Sequence, residues 1–200
     1  MGTGDSQSTD LAKKHLSVDI ETMGGPPKGA LISIGAVYFD IRTGTLGAQF
    51  SVNIDLRSSV SKGMMTDEKT IKWWNGPSNA EALELTKVDM VTLPDALMEF
   101  MNWIAENRKQ PMMWGNSSNF DNVILDEAFK LCELPFPSHY RQWRDMRTWT
   151  QELGKDLLGL KKKDFSHLEE DWQAHVALDD AIKQARIISE IYQEAIRRLG

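Results

Sequence analysis

The stretch LSVDIET, Leu16–Thr22, is apolar and β-prone, yet it carries two carboxylates two residues apart. Side chains alternate across a strand, so Asp19 and Glu21 share one face. Adjacent anions repel unless positive charge lies between them. The strand itself carries no other charge, and the runs that follow are strongly apolar. A strand paired with those runs is central and largely buried. Buried carboxylates are costly unless paired or metal-bound. A hard divalent cation held by oxygen ligands meets that need.

Working outward, ALISIGAVYFD (30–40) is a long β-branched run and TLGAQFSVNI (45–54) alternates well, with turn chemistry between them. With residues 16–21 they predict a three-stranded antiparallel meander. The Gly/Pro loop GGPPKG (24–29) follows the carboxylate pair directly. TDEKTIKWWNG predicts a short helix with Thr66 as N-cap, Asp67 and Glu68 in its first turn, and Asn75-Gly76 as its stop. LPDALMEFMNWIAEN (93–107) is an amphipathic helix, PMMWG (111–115) a short buried strand, and NSSNFDNVILDEAFKLC a capped helix. Another helix is expected from about Asp145, and the last from about Leu178 to Leu199. Lys161-Lys162-Lys163 reads as an exposed loop, with contact to a substrate phosphate as its functional alternative. This order predicts an α/β fold: a mixed sheet, meander plus parallel strands, with helices packed on it.

Two hundred residues suit one domain, expected over 16–200, behind a flexible polar leader at 1–15 that lacks the apolar core of a signal peptide. No apolar run approaches the roughly 20 residues needed to span a bilayer, so no membrane contact is expected. The single cysteine, Cys132, excludes an internal disulfide and fits a reducing, cytoplasmic compartment. A net charge of −6 argues against a protein that grips long duplex nucleic acid through phosphates. It does not exclude nucleic acid as substrate, because bound divalent cations supply positive charge locally.

A cation between Asp19 and Glu21 needs further ligands. Asp121 opens a helix directly after a short strand, the kind of transition where ligands gather in open α/β sheets. An Asp in a first turn also has a purely structural reading, as a partner of the helix dipole. Asp179 and Asp180 open the last helix, and periodicity separates them. Asp179 steps to Lys183, Arg186, Glu190, Gln193 and Arg197, all polar, so it lies on a wet face. Asp180 steps to Gln184, Ile187 and Ile191 and points toward the protein body. Carboxylates converging from separate elements form the pattern of a two-metal phosphoryl-transfer site. His175 precedes Asp180 by five residues, which on one continuous helix would set them about 140° apart. They meet only if His175 lies on the loop or first turn ahead of the helix. There it is placed to take a proton from a water.

Asp19-x-Glu21-Thr22, then Asp121, then His175-x-Ala177-x-x-Asp180-Ala181 resembles the DEDDh 3′→5′ exonuclease pattern of the DnaQ-like superfamily, whose members include ribonuclease T and oligoribonuclease. The motifs occur in the family's order and span residues 17–181. TIKWW and RDMRT resemble, more narrowly, a phage and bacterial subgroup related to exonuclease VIII-like and mycobacterial exoribonuclease proteins. The sequence departs from many relatives in its longer GGPPKG loop.

The resemblance implies a ribonuclease H-like fold and two Mg²⁺ or Mn²⁺ ions per site. Asp19, Glu21 and Asp180 would bind one ion. Asp19 would share the second, with Asp121 contributing directly or through water. His175 would be the general base, and the product a nucleoside 5′-monophosphate released from a single-stranded RNA or DNA 3′ end. Thr22 and Met23 would lie near the terminal nucleotide. Phe120 and Trp74 are candidate stacking groups, although Trp and Phe in helices are mostly core. Trp73 and Trp74 diverge by about 100°, so one of the pair faces the site, and Trp74 is the one expected there. Relatives are often dimers, and the oligomeric state stays open: several aromatics suit a homodimer interface and suit a core equally. A non-catalytic ribonuclease H-like module that binds nucleic acid or a protein is the alternative.

Overall fold

A computed structural model describes residues 15–107, 110–169 and 172–199. Residues 1–14 of the expected leader lie outside the described residues. His15, assigned to that leader, is instead the first residue of strand β1 (His15–Thr22). β2 (Leu31–Phe39) and β3 (Leu46–Asn53) pair antiparallel with it as the expected meander. β4 (Met112–Gly115) and β5 (Trp143–Asp145) extend the other edge in parallel, giving the order β3-β2-β1-β4-β5. Strand β5 was not anticipated, because three residues are too short for any alternation to register.

Pleating sorts the side chains into two layers. Leu16, Val18 and Ile20 of β1 join Ile34, Ala36 and Tyr38 of β2 in the larger core. That core is covered by α4 (Leu93–Asn107) and α5 (Asp121–Leu131). On the other face lie Val37, Phe39 and Trp114, packed under α7 (Ala177–Leu199). The odd residues of β1, Asp19 and Glu21 among them, therefore face α7. The helices thus occupy both faces of a mixed sheet, the ribonuclease H-like arrangement.

Between β3 and α4 come α1 (Leu56–Ser61), α2 (Glu68–Trp74) and α3 (Ala80–Leu85). The sequence predicts only α2, and there the cap shifts by one residue. Asp67, not Thr66, accepts the Thr70 main-chain N–H at 2.8 Å. Asp145 caps α6 (Met146–Thr148) by accepting the Thr148 N–H at 2.8 Å, and the chain runs on as a wider π-helix over Trp149–Leu157. The lysine run, expected as loop, enters a 3-10 helix spanning Lys162–Glu169. Among the described residues no helix is long and apolar enough to cross a membrane.

The seating of α7 depends on small residues. Ala177, Ala181 and Ala185 are buried along its sheet-facing side. Opposite them, Gly35 of β2 leaves no room for a side chain: a Cβ there would lie 2.1 Å from the Ala177 carbonyl carbon and 2.2 Å from the Leu178 nitrogen. Gly35 is also the register partner of Asp19. The start of α7 is thereby held directly over the acidic part of β1. Gly35→Ala should lower the unfolding free energy by about 1–3 kcal/mol, the usual cost of overpacking, because both obstructing atoms are main chain. Gly25→Ala, where a new Cβ meets nothing within 4 Å, is the neutral comparison. Urea unfolding of the two variants checks the difference.

Candidate active site

The acids meet in a cleft of about 520 Å³ beside the carboxyl ends of β1 and β4. Asp19, Glu21, Asp121 and Asp180 all line it, as does His175. Three separate pieces of chain supply them. The β1 pleat presents Asp19 and Glu21. The first residue of α5, directly after the β4 turn, is Asp121, whose carboxylate accepts the Ser117 N–H at 3.2 Å. Gly115 makes room for this turn, since a Cβ there would come within 2.8 Å of an Asp121 carboxylate oxygen. Asp180 comes from the first turn of α7 and faces the cleft as its helical phase predicts. Asp179 instead accepts the Gln173 N–H at 3.2 Å outside the cleft.

His175 lies just ahead of α7, on the loop where a meeting with Asp180 requires it. Its main chain is left-handed, with φ of 65°, an uncommon state for a residue with a Cβ. Its N–H donates to the Asp180 carboxylate at 2.8 Å, and its ring packs edge-on against Trp73 with centroids 4.7 Å apart. Strained backbone of this kind persists where the surroundings hold it.

Neutral donors reach two of the acids. Gln184 Nε2 donates to Asp19 at 2.6 Å, and the Trp172 indole N–H donates to Asp180 at 2.8 Å. Among the described residues no Lys or Arg forms an ion pair with any of the four. Lys183, the basic residue nearest in role, bonds Glu169 at 2.8 Å and lies over the Trp172 ring. Burial is therefore the first reason that the Asp19 carboxyl is held well above the ordinary range, with the charges of Asp121, Glu21 and Asp180 adding to it. Burial, then Asp180 and Asp121, push Glu21 up to about 8. Burial pushes Asp121 up to about 7 against opposing main-chain hydrogen bonds. Asp180 is raised too, by burial, against the pull of Trp172 and His175.

Such an arrangement of uncompensated oxygens fits a hard divalent cation, which would supply the missing positive charge. Ligand atoms of Glu21, His175 and Asp180 lie within 4.8 Å of one another. Asp19, whose carboxylate accepts from Gln184, lines the same cleft but is not part of that trio.

The expected nucleotide contacts fare unevenly. Phe120 lines the cleft. Trp74 does not: it is 1% exposed, and its indole N–H donates to the Thr22 carbonyl at 2.8 Å. The cleft-facing member of the pair is Trp73, 45% exposed. Thr22 and Met23 are buried beneath the Gly/Pro loop instead of lining the cleft. The Thr22 hydroxyl donates to the Gly24 carbonyl at 2.8 Å, and the Met23 N–H to Ala30 at the same distance. Trp172, Gln184 and Arg147 also line the cleft, and sequence reasoning did not single them out as site residues. Gln184 was within reach, as the residue one turn after Asp180 on the same face.

An acidic cleft at strand ends of a ribonuclease H-like sheet defines a nuclease-type phosphodiester hydrolase. The chain belongs to the family described as the Rv2179c-like 3′-5′ exoribonuclease domain, which it matches over residues 14–192. Among solved structures it is similar to the nuclease domain of 3′hExo, a DEDDh family member bound to rAMP, at 15% identity and a TM-score of 0.61, covering 95% of this chain and 94% of that one. It is also similar to S. pombe Pop2p in its Mg²⁺- and Mn²⁺-bound form, at 16% identity and a TM-score of 0.59, covering 94% and 88%. A third likeness, to cell-death related nuclease 4, has 16% identity and a TM-score of 0.61, covering 92% and 64%. No curated protein sequence matches.

Glu21 and Asp121 bind protons more tightly folded than unfolded. Without metal, their contribution to stability is complete below the unfolded pKa of about 4 and is lost as pH rises through about 7 to 8. In EDTA the melting temperature should therefore fall between pH 5 and pH 9. Mg²⁺ or Mn²⁺ at about 100 times its Kd should restore about 2.7 kcal/mol at the alkaline end. Scanning calorimetry across pH, with and without metal, checks both halves.

Proposed function

We propose that residues 16–200 act as a single catalytic unit that removes nucleoside 5′-monophosphates from the 3′ end of single-stranded RNA. The observation that carries this reading is the convergence of Asp19, Glu21, Asp121, Asp180 and His175 in one cleft with no basic ion-pair partner among the described residues. The choice of RNA over DNA rests on the family's description as exoribonucleases.

In this reading the four carboxylates would hold two Mg²⁺ or Mn²⁺ ions. When bound, such ions stabilise charge on both the entering and the leaving oxygen. His175, at the cleft wall, accepts a proton from the attacking water. The Asp180 carboxylate fixes the His175 main chain, and Trp73 fixes its ring. Water oxygen bonds to phosphorus, and the bond to the 3′ oxygen of the preceding nucleotide breaks. The products are a 5′-monophosphate and a chain shortened by one, with a free 3′-hydroxyl. Trp73 and Phe120 offer faces to the terminal base, and Arg147 offers a cation to its phosphate. The acids and His175 come from one chain, so the reading needs no second copy.

Asp19→Ala and Asp180→Ala should abolish mononucleotide release from a labelled RNA 5-mer in Mn²⁺, whereas Asp179→Ala largely keeps it. His175→Asn preserves a residue type that tolerates left-handed backbone and should lower kcat about 10²–10⁴-fold. Equal loss at Asp179 and Asp180 would sink the assignment of the helix face. Binding without any metal-dependent shortening would mark a non-catalytic module, and faster loss of a matched DNA 5-mer would overturn the choice of RNA. The two tryptophans should separate cleanly. Trp73→Ala raises KM with the fold intact, while Trp74→Ala destabilises by about 3–5 kcal/mol, as read from kinetics and chemical denaturation together.

A further inference from the structure

The acidic cleft takes the terminal nucleotide in this reading, and the chain that precedes it must run onto the neighbouring surface. A second groove of about 620 Å³ adjoins it, and Met146 and Ile187 line both. Those two side chains, with Leu160 and Phe165, give the groove an apolar floor. Lys155, Lys161 and Lys162 stand at its walls, and no Asp or Glu lines it. Among the described residues none of the three lysines has a carboxylate partner within 4 Å. Three acids close by in sequence bond other groups, Asp156 the Gln151 side-chain amide among them. Asp164 accepts the Lys161 main-chain N–H at 2.8 Å, and Glu169, which feels Lys162, bonds Lys183. In a chain of net charge −6 this is a local reversal of sign, directly beside the most acidic part of the molecule.

An apolar floor with an aromatic ring, walled by unpaired ammonium groups, is the chemistry that receives single-stranded nucleic acid. Bases rest on the apolar faces while lysines meet the phosphates. We propose that this groove binds the nucleotides on the 5′ side of the one being removed, with a base against Phe165 and their phosphates at Lys155, Lys161 and Lys162. The groove then supplies the affinity for oligonucleotide that the carboxylate cleft, by its charge, cannot. The inference rests on the exonuclease reading and adds to it where the substrate's body lies. It also sets a length dependence: substrates reaching across Met146 and Ile187 gain binding that a single nucleotide does not.

The test compares the wild type with Lys155→Ala/Lys161→Ala/Lys162→Ala on two substrates in Mn²⁺. One is an eight-residue oligoadenylate. The other is the p-nitrophenyl ester of uridine 5′-monophosphate, which fills the cleft alone. The variant should raise KM for the 8-mer about tenfold at moderate salt, with kcat within about twofold. It should also flatten the dependence of log KM on log salt by about 2, since each single-strand phosphate contact contributes about 0.7. Ester hydrolysis should be unchanged. An unaltered KM and salt slope for the 8-mer overturns the groove while leaving the exonuclease reading in place. A wild type that degrades neither substrate overturns the exonuclease reading itself.

Discussion

Mutual repulsion among four carboxylates is the condition that the rest of this molecule is built to withstand. Asp19, Glu21, Asp121 and Asp180 crowd one cleft, and burial deepens the penalty for their charge. Most of the compensation is dipolar. Asp121 and Asp180 sit in the first turns of α5 and α7, where a helix presents its partly positive end. Main-chain N–H groups of Ser117 and His175, the Gln184 amide and the Trp172 indole add to these, as does main chain at Asn116 and Ile20 beside Asp121. Dipoles lower the cost without cancelling the charge. The site is left electrically incomplete, and that incompleteness is what gives it affinity for a divalent cation.

The same condition explains the division of labour across the sheet. One face of β1 carries Leu16, Val18 and Ile20 into the main core and anchors the strand, and the other face is given over to acids. Lys183 stands close enough to ease Asp180 but is committed to Glu169 and the Trp172 ring, so it does not fill the cation's place. Arg147 lines the acidic cleft as well, but among the described residues neither it nor Lys183 is ion-paired with the four acids, and three further cations, Lys155, Lys161 and Lys162, line the neighbouring groove. A polyanion that needs a metal at its end and ammonium groups along its length can meet both on adjoining parts of one surface.

Much of this was legible in the sequence. The meander followed from alternation and turn residues, and the odd face of β1 from a period of two. The choice of Asp180 over Asp179 followed from the period of 3.6, as did the need for His175 to precede the helix. What escaped had too little pattern to read. Strand β5 is three residues long. Thr66 and Asp67 are both competent caps, and it is Asp67, its own N–H bonded to the Met23 carbonyl, that caps the helix. Trp73 and Trp74 are adjacent on a short helix, so periodicity separates them without saying which is inward. The Thr22 carbonyl, which bonds the Trp74 indole, decides it. Trp172 reaches Asp180 from a loop, and no local signal marks such a contact. Thr22 and Met23 follow the acids in the chain but are folded under by the loop after them.

The contact between Gly35 and the first residues of α7 joins main chain to main chain. Most core distances relax when a side chain is exchanged, because the neighbours repack. Here there is no intervening side chain to exchange, so the separation between Asp19 and the helix carrying Asp180 works as a fixed gauge. Ordinary mutational drift in the hydrophobic layers can alter how firmly the protein holds together while leaving the aperture between its acids as it was. Evolution, or a protein engineer, would recalibrate that aperture most directly at the glycine.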